Sequence, residues 1–150
     1  ETFPGVEHRI ELVRTLNGVR YYNDSIASSP TRTIAGLHSF HQKVILIAGG
    51  YDKKIPFEVL GKEVQDHVKT LVLTGHTAEK IQKAVVESEG YQAGHPSILM
   101  EPDFKQAVLK ASKAAEEGDV VILSPACASF DHFKNFAQRG QTFKAIVNEL

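Results

Sequence analysis

Short apolar runs alternate with amphipathic stretches over most of this chain. From Val44 onward, Val44–Ala48, Thr70–Leu73, Ile98–Met100 and Val120–Leu123 read as strands, because short, nearly unbroken apolar runs mark strands buried on both faces. Between them Phe57–Val64, Ala78–Ser88 and Phe104–Ala115 carry apolar residues at helical spacing, and a last helix is expected near Gln141–Leu150. Strands alternating with helices predict a parallel sheet joined by right-handed crossovers, with helices on its faces. The first quarter has a different rhythm. Ile10–Thr15 and Val19–Tyr22 are joined through Asn17-Gly18, a dipeptide that accepts the positive φ angles of a tight hairpin turn. Pro30 suits the first turn of a helix that runs on through Thr31–Ser39, with Ile34 and Leu37 on one face.

The expected fold is therefore a Rossmann-like α/β domain, with a mostly parallel sheet and an N-terminal antiparallel β-hairpin. Its 150 residues fit one domain of the usual ~100–200, and no internal repeat, low-complexity tract or linker divides them. Lysine and arginine total 17 against 18 acidic residues, so no global field attracts nucleic acid or an anionic membrane. An anionic ligand would have to be held by local charges and N–H groups. The single cysteine, Cys127, excludes an internal disulfide and fits a reducing, cytoplasmic setting. No apolar run approaches 18 residues and the start has no signal-peptide pattern. The chain begins at Glu1 rather than methionine, which suggests a piece of a longer protein.

Candidate chemistry collects where strands are expected to end, the place at which open α/β sheets bind ligands. Gly49-Gly50-Tyr51-Asp52-Lys53-Lys54 follows one strand; its glycines permit a sharp turn, and Lys53 is a movable point charge suited to a carboxylate or phosphate. The plain alternative is a solvated turn. Ser124-Pro125-Ala126-Cys127-Ala128-Ser129 follows another strand and leads into an expected helical stretch, Phe130–Phe136. Ser129 would cap that helix, and the same N-terminal N–H groups suit an anion. Cys127 invites a nucleophile hypothesis, but no histidine stands in a pairing motif with it, so a small packed residue is the stronger reading. Arg9 and Asp24 frame the hairpin beside His8 and Asn23. Asp24 there serves equally well to end a strand or cap a turn. The other histidines are scattered, and His38 with His41 alone is too little for a metal site. No metal is expected from this chain alone.

The run Ser124–Phe136, taken with His8-Arg9, Asn23-Asp24-Ser25 and Ser28-Ser29-Pro30-Thr31, resembles the C-terminal domain of the D-glutamate-adding, MurD-type Mur ligases. The resemblance covers essentially the whole chain, making residues 1–150 a single Mur ligase C-terminal domain from a longer three-domain enzyme. It implies that Lys53 and Ser28 contact the α-carboxylate of D-glutamate. Ser129 and the backbone at Phe136 would receive the side-chain carboxylate, and Phe130 would form an apolar wall where leucine is common. Arg9 and Asp24 are assigned to ATP, through its phosphates and ribose, with His8 in the same motif. Ile26 departs from relatives that carry lysine there, so any charge that lysine gives the nucleotide is missing.

No G-x-x-x-x-G-K-[ST] phosphate loop occurs in the chain. The resemblance assigns that loop, and most ligands of ATP and Mg²⁺, to a central domain, and the UDP-sugar to an N-terminal one. The implied reaction joins D-glutamate to UDP-N-acetylmuramoyl-L-alanine through an acyl phosphate in peptidoglycan precursor synthesis. The isolated domain is expected to be inactive. Two alternatives stay open: the C-terminal domain of another Mur ligase or of a folylpolyglutamate synthetase, and a non-catalytic module that binds a small anion.

Overall fold

The computed structural model describes residues 6–129 and 133–150. Strands β1 (Glu11–Leu16) and β2 (Val19–Asn23) pair antiparallel through the Asn17-Gly18 turn, both of whose residues have positive φ. β3 (Val44–Ala48), β4 (Val68–Leu73), β5 (Ser97–Met100) and β6 (Val120–Leu123) run parallel to β2, giving one six-stranded sheet in the order β1-β2-β6-β3-β4-β5. The expected α/β architecture, with its hairpin at one edge, is what forms.

Side chains that alternate along each strand divide the core in two. Val44, Leu46 and Ala48 face one layer with Leu71, Leu73 and Ile122. That layer is closed by α1 (Pro30–Leu37), α2 (Leu60–His67) and α3 (Ala78–Val86), through Leu37, Leu60, Val64, Ile81 and Val85. Ile45, Ile47, Val72, Val121 and Leu123 face the other layer, covered by Phe104, Ala107, Val108 and Ala111 of α4 (Phe104–Ala114) and by Phe143 and Val147 of α5 (Phe136–Asn148). All five residues of β3 are buried, as a central strand covered on both faces must be. None of the described helices is long and apolar enough to cross a membrane.

Several boundaries depart from the sequence expectation. α2 starts at Leu60 rather than Phe57, because Leu60 and Gly61 first donate to the carbonyls of Phe57 and Glu58 in tight turns. α2 then passes into β4 at Val68 with no intervening loop. The helix expected over Phe130–Phe136 and the one near Gln141–Leu150 are also revised. Residues 130–132 lie outside the described residues, Phe133–Asn135 are not helical, and α5 begins at Phe136. Asn135 is its N-cap, with Oδ1 accepting from the Gln138 N–H at 2.8 Å; the capping role expected of Ser129 falls on residues outside those described.

Candidate functional site

Three strand-end loops are knitted together by backbone bonds. Gly49 donates to the Pro125 carbonyl at 2.9 Å and Tyr51 to the Ala128 carbonyl at 2.9 Å, so the loop after β3 lies on the loop after β6. Glycine is required here. Gly49 has φ +117, and a Cβ on it would strike the Thr74 carbonyl oxygen; one on Gly50 would stand 2.6 Å from the Ala128 carbonyl oxygen. Thr77 ties in the loop after β4, its hydroxyl accepting from Gly50 N–H at 3.0 Å and lying 3.1 Å from Cys127 Sγ. Cys127 is buried to 3% exposure, which fits the packed residue rather than an accessible nucleophile.

Arg9 and Asp24 meet on one cleft of about 480 Å³, floored by α1 through Thr31, Arg32, Ala35 and Gly36. Asp24 accepts from the Ile10 N–H at 3.1 Å and from the Ser124 hydroxyl at 2.8 Å. Burial pushes its carboxyl up to about 6, against the pull of those two bonds and of the Arg9 and Arg32 charges. The Asp24–Ile10 bond also sets the backbone that carries Arg9. His8 and Ile10, on either side of Arg9, have φ of 67° and 45°, a left-handed conformation that costs non-glycine residues of order 1–3 kcal/mol and tends to persist at functional sites. Lys54 and Ala126, in the other two loops, share it, each with φ of 64°.

His8 itself does not line the cleft. Its ring is buried, edge-on to Phe136 at 5.8 Å, and so close to α5 that a Cβ on Gly140 would collide with Nδ1. The Asn23 amide oxygen accepts from Ser25 N–H and its nitrogen reaches Glu11 Oε1, which leaves that nitrogen to donate to His8 Nδ1 at 2.9 Å. His8 thus anchors the segment and Arg9 is presented from it.

A second, more open cleft of about 340 Å³ is lined by Ser28, Lys53 and Phe136 together with Ile26, Ser29 and Arg32. Three of the residues expected to hold D-glutamate therefore share one surface. Lys53 is exposed, Ser28 half-buried, and the Phe136 amide lies in the first turn of α5, where N–H groups lack helical partners. Ser129 is buried to 4% exposure and lines neither cleft; its carbonyl accepts from Phe133 N–H at 2.9 Å. Phe130 lies outside the described residues.

Two arginines here escape a sequence reading. Arg32, in the first turn of α1, lines both clefts, beside Ile26 in each. Arg139 of α5 is buried to 2% exposure beneath them. Its guanidinium donates to Ser25 Oγ at 3.0 Å, the Ser25 carbonyl at 2.8 Å, the Cys127 carbonyl at 2.9 Å and Ser28 Oγ at 3.4 Å. Ser25 Oγ in turn donates to the Phe136 carbonyl at 2.7 Å. One side chain thereby joins the loops after β2 and β6 to the start of α5. Only the rarity of a fully buried arginine marks it, and burial is not visible in a polar-looking helix.

The fold is thus an α/β domain with cationic, hydroxyl and N–H groups gathered around two clefts beside the strand ends. Residues 8–127 match the family described as Mur ligase, glutamate ligase domain, and the chain belongs to that family. It is 61% identical to a UDP-N-acetylmuramoylalanine--D-glutamate ligase of Acetivibrio thermocellus and 58% identical to one of Clostridium novyi, each alignment covering 99% of this chain and 32% of the relative. The chain thus spans about a third of the length of these curated relatives. Among solved structures, a domain of a UDP-N-acetylmuramate:L-alanyl-gamma-D-glutamyl-diaminopimelate ligase of Haemophilus ducreyi superposes with a TM-score of 0.61 at 16% identity, covering 95% of this chain and 96% of that one. FolC of Escherichia coli in complex with ADP superposes with a TM-score of 0.62 at 15% identity, covering 96% of this chain and 32% of that one. At these identities the structural likeness speaks for the fold alone.

Proposed function

We propose that this chain is the third, C-terminal domain of a cytoplasmic, ATP-dependent ligase that adds D-glutamate to UDP-N-acetylmuramoyl-L-alanine. The observation that carries the reading is the pair of clefts that meet at Arg32 and Ile26, one with Arg9 and Asp24, the other with Ser28, Lys53 and Phe136. The high-identity relatives favour the D-glutamate ligase over a folylpolyglutamate synthetase.

In this reading the γ-phosphoryl group of ATP passes to the carboxylate of the UDP-linked substrate, giving an acyl phosphate and ADP. The D-glutamate amine attacks the acyl carbon, and the tetrahedral intermediate collapses to an amide, expelling phosphate and losing the amine proton. This chain's part is orientation. Lys53 and the Ser28 hydroxyl hold the α-carboxylate, and the Phe136 N–H receives the side-chain carboxylate. Fixing the amine this way replaces a costly encounter between separate molecules. Arg9 and Arg32 offer donor forks to nucleotide phosphates, and Asp24 takes a ribose hydroxyl.

Mg²⁺ does not fit the residues present. The one carboxylate of the nucleotide cleft already accepts from Ile10 and Ser124 and lies between two arginines, whereas Mg²⁺ wants several oxygen ligands. Its ligands, and the β- and γ-phosphate cradle, fall to the other domains. The test is phosphate release with all three substrates. A three-domain ligase ending in this chain should turn over with D-glutamate and not L-glutamate, while the 150-residue chain alone gives no product. Turnover by the chain alone, or equal use of L-glutamate, contradicts the reading.

A further inference from the structure

The fold assembles a histidine and carboxylate cluster apart from both clefts. Glu63 and His67 are four residues apart on α2, so their side chains share one helix face. His38 caps the C-terminal end of α1, which packs against α2. Its Nε2 lies 2.7 Å from Glu63 Oε1, and His67 Nε2 lies 3.6 Å from the same oxygen. The two imidazoles stand 4.7 Å apart, tilted by 32°. One ligand atom from each residue falls within 4.8 Å of the others, the only such group among the described residues. Sequence spacing pairs His38 with His41. The packing of α1 on α2 supplies different partners.

We propose that His38, Glu63 and His67 form a binding site for a divalent transition metal of the zinc class, joining the end of α1 to α2. Zinc takes imidazole nitrogen and carboxylate oxygen at about 2.0–2.2 Å in a tetrahedral shell, which puts neighbouring donor atoms roughly 3.3 Å apart. The separations from Glu63 Oε1, 2.7 and 3.6 Å, bracket that value, and all three donor atoms lie within 4.8 Å of one another. Half-exposed Glu63 and His67 and the exposed His38 leave the fourth position to water. Two imidazoles and one carboxylate suit zinc and not magnesium, which prefers oxygen donors throughout. This separates the site from any cation that accompanies ATP. Bound metal would fix α1, whose Arg32, Ala35 and Gly36 line the nucleotide cleft.

Calorimetric titration of the metal-free chain with zinc chloride at pH 7.5 tests the proposal, with Co²⁺ absorption as a report on geometry. One equivalent should bind and raise the melting temperature, since a ligand of the folded state alone stabilises it. His67→Ala, His38→Ala and Glu63→Gln should each weaken binding ten-fold or more and abolish the intense visible bands of four-coordinate Co²⁺, while His41→Ala leaves both unchanged. Glu63→Gln keeps the side-chain shape, so it remains informative if a histidine variant folds poorly. Zinc affinity that is the same in His67→Ala and Glu63→Gln as in the wild type, or that falls equally in His41→Ala, overturns the site in favour of scattered surface histidines and a metal-free His–Glu hydrogen-bond cluster.

Discussion

Asp24 and Arg32 give the cleft proposed for the nucleotide a buried charge and an exposed one. Asp24 titrates near 6 in the folded protein against 3.8 for an ordinary aspartate, chiefly because it is buried. As pH falls through 6 the folded chain takes up a proton that the unfolded chain takes up only near 4, so this group adds stability on acidification and loses it as pH rises from 4 to 6. The span is worth up to ~3 kcal/mol at ~1.4 kcal/mol per unit. Urea melts at pH 4.5 and 7 should show the wild type losing stability relative to Asp24→Asn as pH rises; a parallel dependence in the two proteins would contradict the shift. Arg32 makes the opposite kind of prediction. It borders both clefts at the place where Ile26 supplies no charge, so Arg32→Ala in the three-domain ligase should raise KM for ATP and for D-glutamate alike, roughly three- to ten-fold. Unchanged constants would make it a solvated side chain. Arg9, Asp24 and Lys53 were legible as candidates because each follows or frames a recognisable strand, and Ser28 through the family resemblance alone. Arg32 and Arg139 were not. Their partners lie in loops brought near only by the finished sheet.

At the scale of elements, α5 links the site to the core. Its buried face, with Phe143 and Val147, covers β1 and β2, while its first turn presents Phe136 to the cleft proposed for D-glutamate. Arg139, one turn in, fastens that end to two loops through four hydrogen bonds. Arg139→Lys keeps the charge but not the planar fork. Losing two or more such bonds should cost about 2–4 kcal/mol in denaturant melts of the chain; a cost below about 0.5 kcal/mol would mean that the loops hold without it. Sequence reading found the strands and most helices because each buries an apolar face with a clear period. It placed the start of α5 wrongly. Phe130, Phe133 and Phe136 have helical spacing, but Asn135 and Gln138 cap the helix at Phe136 and leave Phe133–Asn135 outside it. The cap was written in polar residues inside an aromatic run that concealed it.

For the whole molecule, the sheet separates stability from chemistry. Two apolar layers hold the helices, and the strand-end loops, pinned to one another through Gly49, Tyr51 and Thr77, carry the polar groups. In the proposed three-domain ligase, hinge closure of this domain over the central one would bring both clefts to the reacting atoms and exclude water. The central claim is that the two clefts serve different substrates. Steady-state kinetics of the three-domain ligase with Lys53→Ala and Arg9→Ala test it directly, since both residues are exposed and their loss should alter stability by only about 0.5 kcal/mol or less. Arg9 is a cleaner probe than Asp24, whose loss would also release the Ile10 backbone. Lys53→Ala should lower kcat/KM for D-glutamate by ten-fold or more while leaving KM for ATP near the wild-type value, as expected for losing one charge-assisted contact worth roughly 1.5–3 kcal/mol. Arg9→Ala should do the reverse, raising KM for ATP and sparing D-glutamate. Wild-type D-glutamate kinetics in Lys53→Ala, or loss confined to D-glutamate in Arg9→Ala, would contradict the assignment of the clefts.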